Sequence, residues 1–371
     1  MGDPRKPHVD RPLLSHPAMR PPPTTGNRDV LRLCRPPAPA PSWRHATIGP
    51  PLFVFLSLAL ACVAMTGGCE LRRPSDFTIV ALPDTQYYAA AHPEILRAQS
   101  QWIVDQQGSA DVALVVHEGD IVDEDEPEQW ASASGSLHLL DGVVPYMVTS
   151  GNHDYSRNGS LVSRSSLINR YFPASTFAAM PSFGGTFEPN HIENSFQLID
   201  APGGPWLILS LEFGPRDAVL TWANGIVKQH ASAPTIVVTH AYLYSDDTRY
   251  DHRTRPDQLW NPHVYLDDRL PGSVNDGEEI WRKLIRDNDN ILFVLCGHDL
   301  EDGVGRLTST RPDGAPVHQL LANFQMEPLG GGGYLRLMRF SPAEHRVAIQ
   351  TYSPFLDRFK ADPDNDFSLD Y

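Results

Sequence analysis

The chain has 371 residues, 41% of them hydrophobic and 20% charged, which is enough apolar material for one large or two ordinary folded domains. Its net charge of -15 at pH 7 conceals an asymmetry: residues 1–73 hold ten Lys or Arg against four Asp or Glu, and all that follows is strongly acidic. So acidic a folded part argues against a nucleic-acid-binding surface, while leaving room for a site whose positive charge comes from metal ions.

Residues 1–50 are rich in Pro and Arg and show neither helical nor strand periodicity; they read as disorder, or as residues upstream of the true translation start. Residues 51–66 form an apolar stretch, short for a membrane-spanning helix and suited to a signal-peptide core. Gly67-Gly68-Cys69, followed by Glu70 and two arginines, is similar to a lipoprotein cleavage site with Cys69 as the lipid-bearing residue. Cys62 is the second candidate, and an uncleaved amino-terminal anchor over residues 51–73 is the alternative. Either way the expected location is extracytoplasmic: secreted, periplasmic or lipid-anchored. Cleavage at Cys69 would leave Cys296 as the only interior cysteine, which excludes an intradomain disulfide framework. The oligomeric state is not legible.

From residue 74 onward strands and helices alternate. A first strand over 77–82 ends in Leu82-Pro83-Asp84-Thr85-Gln86. His92-Pro93 starts a helix whose apolar residues Ile95, Ala98, Trp102 and Ile103 recur at helical spacing as far as Gln107. A second strand over 112–116 is continuously apolar, which predicts burial on both faces, and it ends in His117-Glu118-Gly119-Asp120. A helix over 126–140 and a strand over 146–149 lead to Gly151-Asn152-His153-Asp154. This alternation predicts a largely parallel sheet. In such sheets the working residues gather beyond the carboxyl ends of the strands.

Residues 155–194 read as a long loop with a short helix over 167–172. Strands are expected over 195–199 and 206–211, then a helix carrying Val219, Leu220, Ala223 and Val227, then a strand over 235–238 ending in His240. Residues 242–275 read as a second long loop. A helix over 278–286 precedes a strand over 291–295 that ends in Gly297-His298. Strands over 317–321, 334–340 and 346–352 close the expected domain, 74–356, leaving 357–371 as a C-terminal tail. The glycines at 330–333 read as a flexible turn; they lack the Lys and helix of a phosphate loop.

Asp, Asn, Gln and His at successive strand ends form a mixed oxygen and nitrogen ligand set that suits Mn, Fe, Zn or Mg rather than a thiolate site. Paired divalent ions can clamp both the attacking and the leaving oxygen of a phosphoryl group and lower the pKa of a water. Asp120 is the natural bridging carboxylate, since Gly119 lets backbone approach closely.

The ordered set Asp84, Gly119-Asp120, Gly151-Asn152-His153-Asp154, His240 and Gly297-His298 resembles the calcineurin-like metallophosphoesterase superfamily, and the Leu-Pro-Asp-Thr-Gln start resembles its bacterial extracytoplasmic branch. The resemblance spans roughly residues 77–352. It implies an α/β fold, a two-sheet αββα sandwich, and one or two divalent ions. It implies that Asp84 binds the first metal, that Asp120 bridges, and that Asn152, His240 and His298 complete the second. It further implies that a metal-bound hydroxide attacks a phosphate ester in line. His153 would protonate the leaving oxygen, with Asp154 orienting its loop.

Two departures fall at the same metal. The third position of the first motif is Gln86 where a His is usual, and the last motif reads Gly297-His298-Asp299-Leu300 where a second His is usual. Gln86 can ligate a hard ion or hydrogen-bond behind one; Leu300 can do neither. Asp299, Glu301 or Asp302 are the available substitutes. The expectation is a weak first site that prefers Mn or Mg over Zn, or a chain that holds one metal tightly. The rival function is a non-catalytic cell-surface binding protein with a degraded first metal site. A serine hydrolase is not indicated, for want of a Gly-x-Ser-x-Gly turn. Strand alternation places His117 on another face from Asp120, as a packing or supporting residue. Glu118 reads as a solvated loop residue. Tyr87, Tyr88, Tyr242 and Tyr244 read as aromatic packing beside the motifs or as the wall of a cleft. The other eleven histidines belong to no cluster in the sequence.

Overall fold

The structure is a computed structural model that describes residues 76–266 and 272–371. The expectations for the chain before residue 76, including the choice between Cys62 and Cys69, lie outside the described residues.

Fourteen strands are described. They are β1 (Phe77–Leu82), β2 (Val112–His117), β3 (Tyr146–Val148), β4 (Phe183–Thr186), β5 (Ser195–Ala201), β6 (Gly204–Leu211) and β7 (Thr235–Thr239), then β8 (Ile291–Cys296), β9 (Val304–Thr310), β10 (Pro316–Ala322), β11 (Leu335–Ser341), β12 (Arg346–Ser353), β13 (Arg358–Lys360) and β14 (Asp366–Asp370). One sheet has the order β13-β12-β11-β1-β2-β3 with β14 also on β12; the other runs β4-β5-β6-β7-β8-β10-β9. Both are mixed, against the expected largely parallel sheet. In the first, β1, β2 and β3 are parallel, and in the second β6, β7, β8 and β10 are, with antiparallel strands outside them. The reason is local. Short turns such as Pro202-Gly203 between β5 and β6 can only return the chain antiparallel, whereas parallel neighbours need a long crossover.

Strand alternation sorts the side chains into layers. On β1, Phe77, Ile79 and Ala81 face the second sheet, while Val80 and Leu82 face the outer helices. On β8, Phe293 and Leu295 face inward, and Val294 and Cys296 outward. Both faces are covered, so the runs are apolar throughout. Each fully buried Phe or Ile in the inter-sheet layer contributes roughly 1.5–3 kcal/mol. The first outer layer is built from α1 (Gln86–Ala91), α2 (Pro93–Gln106) and α3 (Pro127–Leu137), and the second from the helix Asp217–Gln229 and the helical stretch that starts at Gly277–Ile280. The architecture is the expected αββα sandwich.

Residues 357–371 are not a tail. They supply β13 and β14, both paired with β12. The alternation in Asp366-Phe367-Ser368-Leu369-Asp370 turns Phe367 and Leu369 toward the inter-sheet core and leaves the aspartates outside. The glycines at 330–333 all take positive φ, between 56° and 124°, and their turn packs on α1, where Gly333 N–H donates to the Tyr88 hydroxyl at 2.9 Å.

Candidate metal centre

The carboxyl ends of β1, β2 and β3 in one sheet and of β7 and β8 in the other converge, and they carry the predicted motifs. Asp120 has φ of 50°, a left-handed turn that swings its carboxylate back over the strand ends. Gly119 is needed for a different approach from the one expected: a Cβ there would lie 2.7 Å from His240 Nδ1, so the glycine makes room for the imidazole.

Two histidines meet this carboxylate. His240 Nε2 is 3.2 Å from Asp120 Oδ2 and 3.1 Å from His298 Nδ1. On its outer side His240 uses Nδ1 against the Glu118 carbonyl at 3.0 Å, and His298 uses Nε2 against the Trp260 carbonyl at 2.9 Å. A carbonyl only accepts, so each imidazole carries its proton on the outer nitrogen. The inner nitrogens, His240 Nε2 beside Asp120 and His298 Nδ1 against His240 Nε2, are the atoms left to face a cation once His240 gives up the second proton it holds without one. This is how metal-ligating histidines are commonly fixed, with tautomer and orientation set from behind. Asn152 adds an amide oxygen, Oδ1, that is buried without a hydrogen-bond partner. Burial, then the neighbouring His240, pushes His298 down to about 3, so its inner nitrogen stays neutral. Burial also works against charge on His240, but Asp120 and Asp84 outweigh it and raise the group to about 9.

The first-metal half is held differently. Asp84 is buried; its oxygens accept the His298 backbone N–H at 3.3 Å and the Asn323 side-chain amide at 3.0 Å. Burial dominates and lifts its carboxyl to about 7. A Cβ on Gly297 would stand 2.1 Å from Asp84 Oδ1, which explains the glycine in front of His298. Gln86, the first residue of α1, donates Nε2–H to Asp123 Oδ1 at 3.2 Å and leaves Oε1 buried and unpartnered. Leu300 is half-buried. Of its suggested substitutes, Glu301 and Asp302 are exposed, and Asp299 is buried but turned to the Ser245 backbone and the Tyr250 hydroxyl.

Next to Asp120 stands His153. Its backbone N–H donates to Asp120 Oδ1 at 2.9 Å, and its Nδ1 donates to the Asp123 carbonyl at 2.8 Å. Burial opposes a charge on the ring, but Asp120 and Asp123 raise it to about 10, so it is an imidazolium at neutral pH. Asp154 is buried beneath this loop and accepts backbone N–H groups of Ile121, Val122 and Gly151 at 2.9, 3.1 and 2.8 Å. Those bonds tie the β2 loop to the β3 loop.

Several residues here carry no motif. Asn323 and Asp123 support Asp84, Gln86 and His153 from segments without periodicity. Tyr265, from the long 242–275 loop, buries an unpartnered hydroxyl whose ionisation burial, then Asp120, opposes. Glu118 is not solvated: it is 1% exposed, its carbonyl orients His240, and burial raises its carboxyl well up against the opposing charge of Arg336. His117 lies behind the site, bonded through Nε2 to the Thr85 hydroxyl at 2.9 Å and through Nδ1 to the Gly119 N–H at 3.2 Å. Tyr88 and Tyr242 are buried in the packing, whereas Tyr87 is half-buried with its ionisation opposed by burial, then by Asp123 and Asp120. The eleven remaining histidines are not all without a cluster, since His252 and His263 meet Asp276 and Glu279.

The ligand-type atoms of Asp120, His240 and His298 lie within 4.8 Å of one another, and the motif residues Asn152 and Gln86 each bury an amide oxygen without a partner, so the residues fit a divalent cation. The family model for calcineurin-like phosphoesterases matches residues 77–302, more than half of the chain. The chain therefore belongs to the calcineurin-like phosphoesterase family, which implies divalent metal ions as cofactors.

An uncharacterized Bacillus subtilis protein, YvnB, is 32% identical over 295 residues; the match covers 76% of this chain and 20% of YvnB, so the chain spans about a fifth of that relative's length. Among solved structures, a purple acid phosphatase from yellow lupin (Lupinus luteus) seeds superposes with TM-score 0.48 and 13% identity, covering 80% of this chain and 54% of the other. The Haemophilus influenzae NAD nucleotidase NadN superposes with TM-score 0.39 and 12% identity, covering 77% and 49%. GAP50, described as the anchor in the inner membrane complex of Plasmodium, gives TM-score 0.43 and 12% identity, covering 80% and 90%.

Proposed function

We propose that this chain hydrolyses a phosphate ester with divalent metal ions at the convergent strand ends. The observation that carries the reading is the pair His240 and His298. Each is locked from behind by a backbone carbonyl; the other nitrogen of His240 lies against Asp120, and that of His298 against His240. Asp120, Asn152, His240 and His298 would hold one ion, and Asp84, Asp120 and Gln86 the other. Such ions would supply Lewis-acid charge to the phosphoryl oxygens and lower the pKa of an attacking water.

The chain's own groups do the rest. The His153 imidazolium stands beside Asp120, where it can bind a phosphoryl oxygen and give its proton to the leaving oxygen. Its proton on Nδ1 is fixed to the Asp123 carbonyl, which sets the plane of the ring. Asp154 keeps the two loops in register. Substrate class within phosphate esters is left to a panel of monoesters, diesters and nucleotides.

The Asp84 half is the weaker one in this reading, because Leu300 offers no donor and Asp299 is engaged elsewhere. That favours Mn or Mg there and reduced activity. The second reading, a binding protein without turnover, rests on the same leucine. The test is hydrolysis of p-nitrophenyl phosphate and its bis ester with Mn. Turnover that disappears in His153→Ala supports the enzyme, and no turnover with any divalent metal across the panel supports the binding protein. We also propose an extracytoplasmic location, on the apolar stretch at 51–66; recovery of the chain in the cytoplasmic fraction would count against it.

A further inference from the structure

Apart from the strand ends, a second group of metal-ligand side chains converges in the long loop that the sequence left unassigned. His252, His263, Asp276 and Glu279 each offer a ligand atom within 4.8 Å of all the others. His252 Nδ1 is 2.7 Å from Asp276 Oδ2, and His263 Nε2 is 2.8 Å from Glu279 Oε2 and 3.9 Å from Asp276 Oδ2. The two imidazoles are tilted by 32° to each other, with ring centroids 3.6 Å apart. Asp276 and Glu279 are buried, while both rings are half-exposed, which leaves a path from solvent.

Without a cation, each ring must hold a proton toward a carboxylate. If both rings were charged, two like charges would lie in van der Waals contact. One divalent ion in place of those two protons keeps the charge opposite the carboxylates and removes the repulsion between rings. Two nitrogens and two carboxylate oxygens make a closed four-ligand set with no place left for substrate, as in structural rather than catalytic sites. An ion at the typical ligand distance of about 2.0–2.2 Å would open the close His252–Asp276 and His263–Glu279 pairs as the four atoms surround it.

The location says what such an ion would do. The four residues come from three segments: the start of the loop, the 3-10 turn Pro262–Tyr265, and the helix Gly277–Ile280, where Asp276 and Glu279 form the capping box. Between the two histidines lies Trp260, an aromatic residue at φ of 57°, whose carbonyl receives the His298 Nε2–H. Such a backbone conformation costs on the order of 1–3 kcal/mol and persists only where its surroundings hold it. Asn261 is fastened to Asp276 by its side-chain amide at 3.3 Å. The cluster therefore clamps the backbone that orients a histidine of the catalytic centre.

We propose that His252, His263, Asp276 and Glu279 form a structural site for a zinc-type divalent cation, which fastens the 251–265 segment and thereby holds the Trp260 carbonyl against His298.

The test compares the whole chain with a His252→Gln, His263→Gln double variant and with a His240→Gln variant. Each is loaded with zinc, freed of loose metal by gel filtration, and read by elemental analysis and thermal unfolding. The double variant is expected to hold one zinc fewer than the unaltered chain and to lose most of the zinc-induced rise in melting temperature. The His240→Gln variant, altered at the catalytic centre, is expected to lose zinc there but to keep the zinc and the share of the rise that the double variant loses. Equal zinc content and an equal rise in the double variant would overturn the proposal. Should the double variant not fold, cobalt loading of the His240→Gln chain decides. Intense tetrahedral d–d absorption that survives there supports the site, and its absence refutes it.

Discussion

The two halves of the catalytic centre are built from similar strand ends and reach opposite conditions. At the Asp120 half, two imidazoles and a carboxylate bring ligand-type atoms within 4.8 Å of one another, and each imidazole is braced from behind. At the Asp84 half, the carboxylate oxygens are occupied by donors, the His298 N–H and the Asn323 amide, and the position expected to bring a histidine brings Leu300. Donors that hold a carboxylate still also compete with a cation for its lone pairs. A motif residue can therefore be present, buried and correctly placed, and still offer a weak site. What separates the halves is the pair of braced imidazoles, which only the Asp120 half has.

Substitutions that break the stronger half should have the largest effect. Asp120→Asn is expected to lower kcat by about 10³-fold or more, equivalent to roughly 4 kcal/mol, as read from steady-state hydrolysis at saturating Mn. Removing the proton donor spares both halves. His153→Gln should lower kcat by about 10²–10³-fold while tightly held metal stays unchanged; metal content that falls with activity would mean His153 is a ligand instead. The weaker half responds to its support. Asn323→Ala should change Mn affinity by about 10–100-fold, the usual range for residues behind a ligand, with the Asp120 half unaffected in elemental analysis. Supplying the missing donor works the other way. Leu300→His should tighten the second equivalent of metal by about tenfold. Ions at the two halves are best counted in the His252→Gln, His263→Gln background, so that the satellite site does not enter the stoichiometry.

The motif residues were legible because each is a short polar cluster at the end of an apolar run, and strand ends in such a fold meet in space. The αββα layering came from the family resemblance, since runs apolar on both faces give only buried strands covered by helices. What supports the motifs was not legible. Asn323 reaches Asp84 from beyond β10, and Trp260 presents only a backbone carbonyl, which no side-chain pattern encodes. Glu118 was misread for a similar reason. Its neighbours in sequence are polar, but it is buried in the fold, where the charge it meets is that of Arg336 on β11, far along the chain. The His252 and His263 cluster escaped because its ligands come from an aperiodic loop and a helix cap that meet only in the fold. The final strand, by contrast, had a readable alternation in residues 366–370 that was assigned to a tail.

The smallest effect, and the one that separates the halves most cleanly, is in pH. Without metal, burial raises the Asp84 carboxyl from its ordinary 3.8 to about 7. The fold then holds a proton that the unfolded chain has lost, so metal-free stability falls as pH rises from about 4 to 7. His240 acts in the same direction at higher pH. Burial opposes its charge, but Asp120 and Asp84 raise it from 6.5 to about 9, so its stabilising proton is lost as pH climbs through that value. A cation entering the centre must displace both protons. The rise in melting temperature caused by saturating Mn should therefore grow from pH 5 to pH 9, in one part centred near 7 and a second near 9. In Asp84→Asn the lower part should vanish while the upper part remains. A Mn-induced rise of equal size at pH 5 and pH 8 in the unaltered chain would show that neither group exchanges a proton for the metal, and with that the contrast between the halves would lose its electrostatic basis.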